Sequence, residues 1–122
     1  MMLNKHKFHV FKNLSYALHD LLEVFRNESS FRIEVFICVF LLLCIGFSPL
    51  PILHKGILST SMLIPLAAEL ANSAIERTVD LVTMKYDAKA KAAKDAGSAL
   101  VFMSFIITGL IWFWTFFSLF FD

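Results

Sequence analysis

The sequence predicts an all-α membrane protein with three transmembrane helices and an N-terminal amphipathic helix on the membrane surface. Three observations lead there. Hydrophobic residues make up 58% of the 122 residues and charged residues only 17%, too apolar a balance for a soluble domain of this size. Three apolar runs approach or exceed the roughly 20 helical residues that a bilayer requires. Ahead of them, apolar residues recur at helical spacing between charged ones. The length fits a single domain. A formal net charge of +1 lacks the basic excess of a nucleic-acid binder, so no nucleic-acid partner is expected. Cys38 and Cys44 both sit inside an apolar run and read as small buried hydrophobes.

Residues 4–27 form the surface helix in this reading. Phe8, Phe11, Leu14, Leu18, Leu21, Leu22 and Phe25 share one side, and Lys12, Asn13, His19, Asp20 and Glu23 the other. Such a face suits the membrane surface. Glu28 falls at the border of the apolar arc, where a carboxylate points inward as if to meet a cation. The N-terminus is basic, but the first long apolar run starts near Val35 without a small-residue cleavage site, so no cleavable signal peptide is expected.

The first span covers 30–52, its apolar centre running from Val35 to Phe47. Ser48-Pro49-Leu50-Pro51 ends it in a turn. The second span covers 56–76, and Pro65 removes a backbone hydrogen bond one turn before Glu69, so a kink is expected just above that acid. Residues 77–96 form a polar loop whose second half, rich in Ala and Lys, favours helix. The third span covers 97–120 and carries Trp112, Trp114 and several phenylalanines towards its end, as an aromatic belt would. Of the eleven lysines and arginines, Lys55 alone lies in the 48–55 turn. The positive-inside rule therefore puts the N-terminal helix and the 77–96 loop in the cytoplasm, with Lys55 and Asp122 outside.

The second span is unusual because Glu69, Asn72, Ser73, Glu76 and Asp80 share one arc about 100° wide at helical periodicity. A carboxylate in hydrocarbon costs on the order of 3 kcal/mol, so this face looks at protein, ions or water. Three helices do not enclose several acids alone, and self-association is implied. Four glycines, at 46, 56, 97 and 109, do not build a Gly-rich phosphate loop, and no cysteine or histidine pair has zinc-site spacing. What remains is a set of oxygens and cations at one depth. Glu28, Glu69, Asn72, Glu76 and Asp80 offer hard ligands or a base, and the lysines of 77–96 offer phosphate neutralisation. Phosphoryl transfer needs little more than positioning, metal and a base. Three alternatives stay open on the residues alone: catalysis, ion or proton transport, and a buried ion pair of Glu69 or Glu76 with Arg77 or Lys94.

Glu69-Leu70-Ala71-Asn72-Ser73-Ala74-Ile75-Glu76, Val79-Asp80 and Ala93-Lys94-Asp95-Ala96-Gly97-Ser98-Ala99 resemble the signature of the small prokaryotic diacylglycerol kinases. Asn27-Glu28, Phe31-Arg32 and Glu34 fit the same family. The resemblance covers essentially the whole chain. It implies a homotrimer in the bacterial inner membrane with active sites shared between subunits at the cytoplasmic boundary. There MgATP would phosphorylate the hydroxyl of diacylglycerol to give phosphatidic acid. By position, Glu69 resembles the general base, Glu28 and Glu76 the Mg²⁺ ligands, and Asn72 a polar organiser between them. Glu28, Glu76, Tyr16, Lys85, Tyr86, Asp87, Lys94 and Asp95 resemble nucleotide contacts. Phe31, Arg32 and Ser98, with Glu69, lie where the family holds lipid.

Two departures are visible. His9, with Lys7 and Lys12 close by, stands where the family often has an arginine, and Leu18 replaces a usual tryptophan. The nearest rival is an undecaprenol kinase on the same fold, although Asn72-Ser73 and the Phe31-Arg32 block look closer to the diacylglycerol branch. Rivals of other classes are a small proton-coupled transporter, which leaves Glu28 and Lys94-Asp95 unexplained, and a non-catalytic membrane scaffold.

Overall fold

The computed structural model describes residues 9–121, and every regular element among them is helical. Five segments follow in order: α1 (Val10–Asn27), α2 (Ser29–Phe47), α3 (Ile52–Ser61), α4 (Leu63–Val82) and α5 (Ala88–Phe121). Residues 4–8 of the expected first helix, with Lys7, and Asp122 lie outside the described residues. Three units are long and apolar enough to cross a membrane: α2, α3 with α4 as Ile52–Val82, and α5. At 1.5 Å per residue α2 is about 28 Å long, close to the hydrocarbon thickness, whereas α5 reaches about 51 Å and must extend beyond it.

α1 and α2 meet at one residue, Glu28, which is extended (φ −110°, ψ 114°). No backbone bond is lost there. The Glu28 N–H donates to the Val24 carbonyl at 2.8 Å, and the Glu28 carbonyl accepts from Arg32 N at 3.2 Å. The junction therefore turns the chain while its side chain stays available.

The kink of the second span falls at Met62, between α3 and α4. Pro65 has no N–H to offer the Ser61 carbonyl four residues back, so the helix opens at the orphaned acceptor. The Thr108 hydroxyl of α5, which donates to the Ser104 carbonyl at 2.9 Å, lies 3.4 Å from the Ser61 carbonyl, and the Trp112 indole donates to the Ser61 hydroxyl at 2.9 Å. The break lies nearly two turns from Glu69, rather than directly above it.

Helical structure also reaches deep into 77–96. α4 continues through Val82 and α5 begins at Ala88, which leaves 83–87 as the connection. Asp87 starts α5 by accepting from the backbone N–H groups of Lys89 and Ala90, both at 2.9 Å, satisfying donors that a helix leaves free in its first turn. α4 packs most extensively along α5. Ile45, Leu58 and Met62 form a buried cluster, flanked by Cys38, Leu41, Leu50 and Trp112. Many large apolar side chains elsewhere point outward: Phe36, Phe40, Leu43, Phe102 and Trp114 are all exposed. An apolar exterior of this kind needs lipid or a partner around it.

Candidate active site

The polar arc of α4 forms a line of contacts to three neighbouring elements. Glu69 is buried, 8% exposed, and its Oε1 accepts from the Ser30 hydroxyl of α2 at 2.6 Å. One turn on, buried Ser73 donates to the Glu28 carboxylate. Arg77, a further turn on, reaches the same Glu28 oxygen through Nη2 at 3.5 Å. Its Nη1 meets Asp20 at 3.2 Å and Glu23 at 4.0 Å on α1. Glu28 thus turns towards the bundle, and Arg77 is the cation it meets.

Asn72 and Glu76 look towards α5. The Asn72 amide donates to Glu76 Oε1 at a long 3.4 Å, while Glu76 itself is exposed. Asn72 Oδ1 is buried and has no hydrogen-bond partner. It packs against buried Gly97, where an added Cβ would collide with Oδ1 and come within 3.2 Å of Cγ. A glycine at 97 lets α4 and α5 approach closely enough to hold the amide there.

Asp80 continues the arc one turn beyond Glu76 and binds Lys94 Nζ at 2.6 Å. Beside it opens a cavity of about 300 Å³ lined by Asp80, Lys85, Tyr86, Asp87, Lys94 and Asp95 among others. Five expected nucleotide contacts therefore share one cavity. Three already have duties: Lys94 is paired with Asp80, Asp87 caps α5, and Asp95 binds Lys91 at 2.5 Å, one helical turn away. Tyr16 is exposed on α1, one turn before Asp20, and so shares the side of α1 that Arg77 engages.

The expected lipid positions divide. Phe31 is buried at 4% exposure, Arg32 reaches back to the Arg26 carbonyl at 3.1 Å, and Ser98 is exposed beside Gly97. No ion pair joins Glu69 or Glu76 to Arg77 or Lys94 among the described residues; those cations bind Asp20, Glu23, Glu28 and Asp80 instead. Ser30 and Gly97 had no assigned role in the sequence, and Arg77 was weighed there only as a partner of Glu69 or Glu76, not of Glu28, Asp20 and Glu23. A hydroxyl next to Glu28, a basic residue next to Glu76 and a glycine next to Ser98 were the available signals.

For a metal ion, the described residues offer no cluster of three His, Cys, Asp or Glu side chains. They do offer two hard carboxylates meeting one turn of α4, Glu28 docked on Ser73 and Glu76 three residues later. That donor chemistry suits Mg²⁺, which completes its shell with water and phosphate oxygens.

Comparison with known proteins adds an independent observation. The family described as prokaryotic diacylglycerol kinase matches residues 15–116. A diacylglycerol kinase of Haemophilus influenzae is 35% identical over 104 residues, covering 85% of this chain and 88% of the relative. One from Pseudomonas aeruginosa is 34% identical over 97 residues, covering 80% and 79%. An undecaprenol kinase of Bacillus subtilis is 34% identical over 101 residues, covering 83% and 82%.

Proposed function

The chain belongs to the prokaryotic diacylglycerol kinase family, and from that premise we propose that it phosphorylates diacylglycerol to phosphatidic acid with ATP at the cytoplasmic face of the membrane. Membership makes it a lipid kinase with ATP as co-substrate, and the transporter and scaffold readings lose their support. The proposal extends to a homotrimer in a bacterial inner membrane, with the N-terminus cytoplasmic and α1 lying on the bilayer surface. The exposed side chains of Phe11, Leu14, Leu18 and Leu22 suit that placement.

One observation carries the reading: buried Glu69 accepts a hydrogen bond from an alcohol at 2.6 Å. Ser30 supplies a primary hydroxyl in the orientation that a lipid hydroxyl would need for Glu69 to take its proton. In the proposed reaction that lipid oxygen attacks the γ-phosphorus of ATP. The bond from the γ-phosphorus to the bridging oxygen breaks, its electron pair leaves with ADP, and the lipid proton passes to Glu69 and then to water. Phe31, Arg32 and Ser98 would hold the glycerol end of the lipid. Lys85, Tyr86, Lys94 and Asp95 would hold the nucleotide in the cavity between α4 and α5, with Asp87 shaping its wall and Tyr16 approaching from α1. Glu28 and Glu76 would hold Mg²⁺, which when bound neutralises charge on the phosphate oxygens. Asn72 would set the direction of Glu76.

The undecaprenol kinase reading rests on a relative almost as similar as the diacylglycerol kinases. A transfer assay with labelled ATP in mixed micelles, run against a panel of lipid alcohols, separates the two. Label in phosphatidic acid is the expected outcome; turnover of the polyprenol alone overturns the choice of substrate.

A further inference from the structure

Arg77 is a single cation facing three carboxylates that belong to another part of the chain. Its Nη2 lies 3.5 Å from Glu28, and its Nη1 lies 3.2 Å from Asp20 and 4.0 Å from Glu23. Asp20 and Glu23 stand three residues apart on α1 and so project from one side. Glu28 sits at the non-helical junction, where its direction depends on its partners, Ser73 and Arg77. The guanidinium is 43% exposed, which leaves it room to shift between these acids. Its five donors suit such sharing better than a lysine would.

We propose that Arg77 is a positioning residue for the reaction. It is the resident counter-ion that holds Glu28 against α4 until a divalent cation arrives, and Asp20 and Glu23, which it already touches, keep the guanidinium as it leaves Glu28. This rests on the reading of Glu28 as a metal ligand. A positive charge on the same carboxylate competes with the incoming metal, and the two acids of α1 lower that competition by holding the arginine once it leaves Glu28. Arg77 thereby sets the concentration of divalent ion at which the site fills, and couples filling to a tighter hold on α1.

The test is Mn²⁺ binding, followed by electron paramagnetic resonance in the presence of a non-hydrolysable ATP analogue, on the full chain in detergent. Arg77→Gln should tighten binding about two- to fivefold, the scale of a partly exposed ion pair. Asp20→Asn combined with Glu23→Gln should weaken it by a similar factor, because the guanidinium then stays on Glu28. A plain strut between α1 and α4 is broken by either change, and would move binding the same way in both. Arg26→Gln removes a cation elsewhere on α1 and should leave binding unmoved. Equal tightening there, or same-sign shifts in the first two variants, overturns the inference. Glu28→Gln should weaken binding more than any of them. If it does while Arg77→Gln has no effect, Arg77 alone loses its role; if it does not, the metal assignment of Glu28 falls and the inference falls with it.

Discussion

The two ends of the helical bundle are built from the same kinds of helix and held by different chemistry. At the end carrying Glu28, Glu69 and Lys94, charged side chains reach across helices: Glu28 to Ser73 and Arg77, Glu69 to Ser30, Lys94 to Asp80. At the opposite end the ties are His54 to the Ser118 hydroxyl at 2.9 Å and Lys55 to the Gly46 carbonyl at 2.9 Å. Beside them Phe113, Trp114, Phe117 and Phe121 pack ring against ring along α5 itself. Contacts to backbone and neutral hydroxyls close a bundle. Clustered carboxylates lower its stability unless each is balanced by a cation or a hydrogen-bond donor. On the proposed function, the difference separates the end assigned to chemistry from the end that holds shape.

Substitutions should therefore act on activity at the first end and on stability at the second. The largest effect is expected from Glu69→Gln. An amide does not accept the hydroxyl proton, and turnover should fall by about 10²–10⁴-fold, the usual worth of a positioned base, while nucleotide affinity stays within about twofold. Labelled-phosphate transfer and a nucleotide-binding titration measure the two. Glu76→Gln comes next. It should raise the MgATP concentration needed for half-maximal rate by at least about tenfold, the scale seen when even an outer partner of a metal site is lost. If Glu69→Gln and Glu76→Gln behaved alike in binding and turnover, their separate roles would disappear.

Gly97→Ala probes the close approach of α4 and α5. The new methyl meets Asn72 Oδ1 and pushes the amide away from Glu76. Overpacking of this kind costs about 1–3 kcal/mol, read as a lower melting temperature, and the lost alignment should add a drop in kcat. His54→Phe, at the other end, should show the smallest effect. It removes the bond to Ser118, costing about 1 kcal/mol of stability, with kcat within about twofold of the parent. A large loss of turnover there would erase the distinction between the ends.

The sequence was most legible where one residue type has one physical meaning. Apolar runs in 30–52, 56–76 and 97–120 announced helices able to span a membrane, and Pro65 announced a broken one. The exact place of the break was hidden, because it depends on which carbonyl loses its donor and which neighbours, here Thr108 and Trp112, stand against it. The polar stretch 77–96 read as a loop with helix favoured in its Ala- and Lys-rich second half, where α5 does begin; that α4 also continues through Val82 was hidden, since polarity marks exposure and not the absence of helix. The acids of the site stood out from 69 to 80 because carboxylates are costly in an apolar run. Their partners did not: nothing in periodicity pairs Ser30 with Glu69 across 39 residues, or Arg77 with Asp20 across 57. Gly97 was equally silent, since its role comes from the side chain of Asn72 on another helix.

The proposed chemistry depends most on Glu69 being a base for an alcohol, the role to which its hydrogen bond from the Ser30 hydroxyl points. Measuring labelled-phosphate transfer to diacylglycerol for Ser30→Ala and Glu69→Gln side by side, at saturating MgATP, tests this most directly. The account predicts a Ser30→Ala enzyme with kcat near the parent's and a Glu69→Gln enzyme at background; a Glu69→Gln enzyme that still turns over within about tenfold of the parent would contradict it.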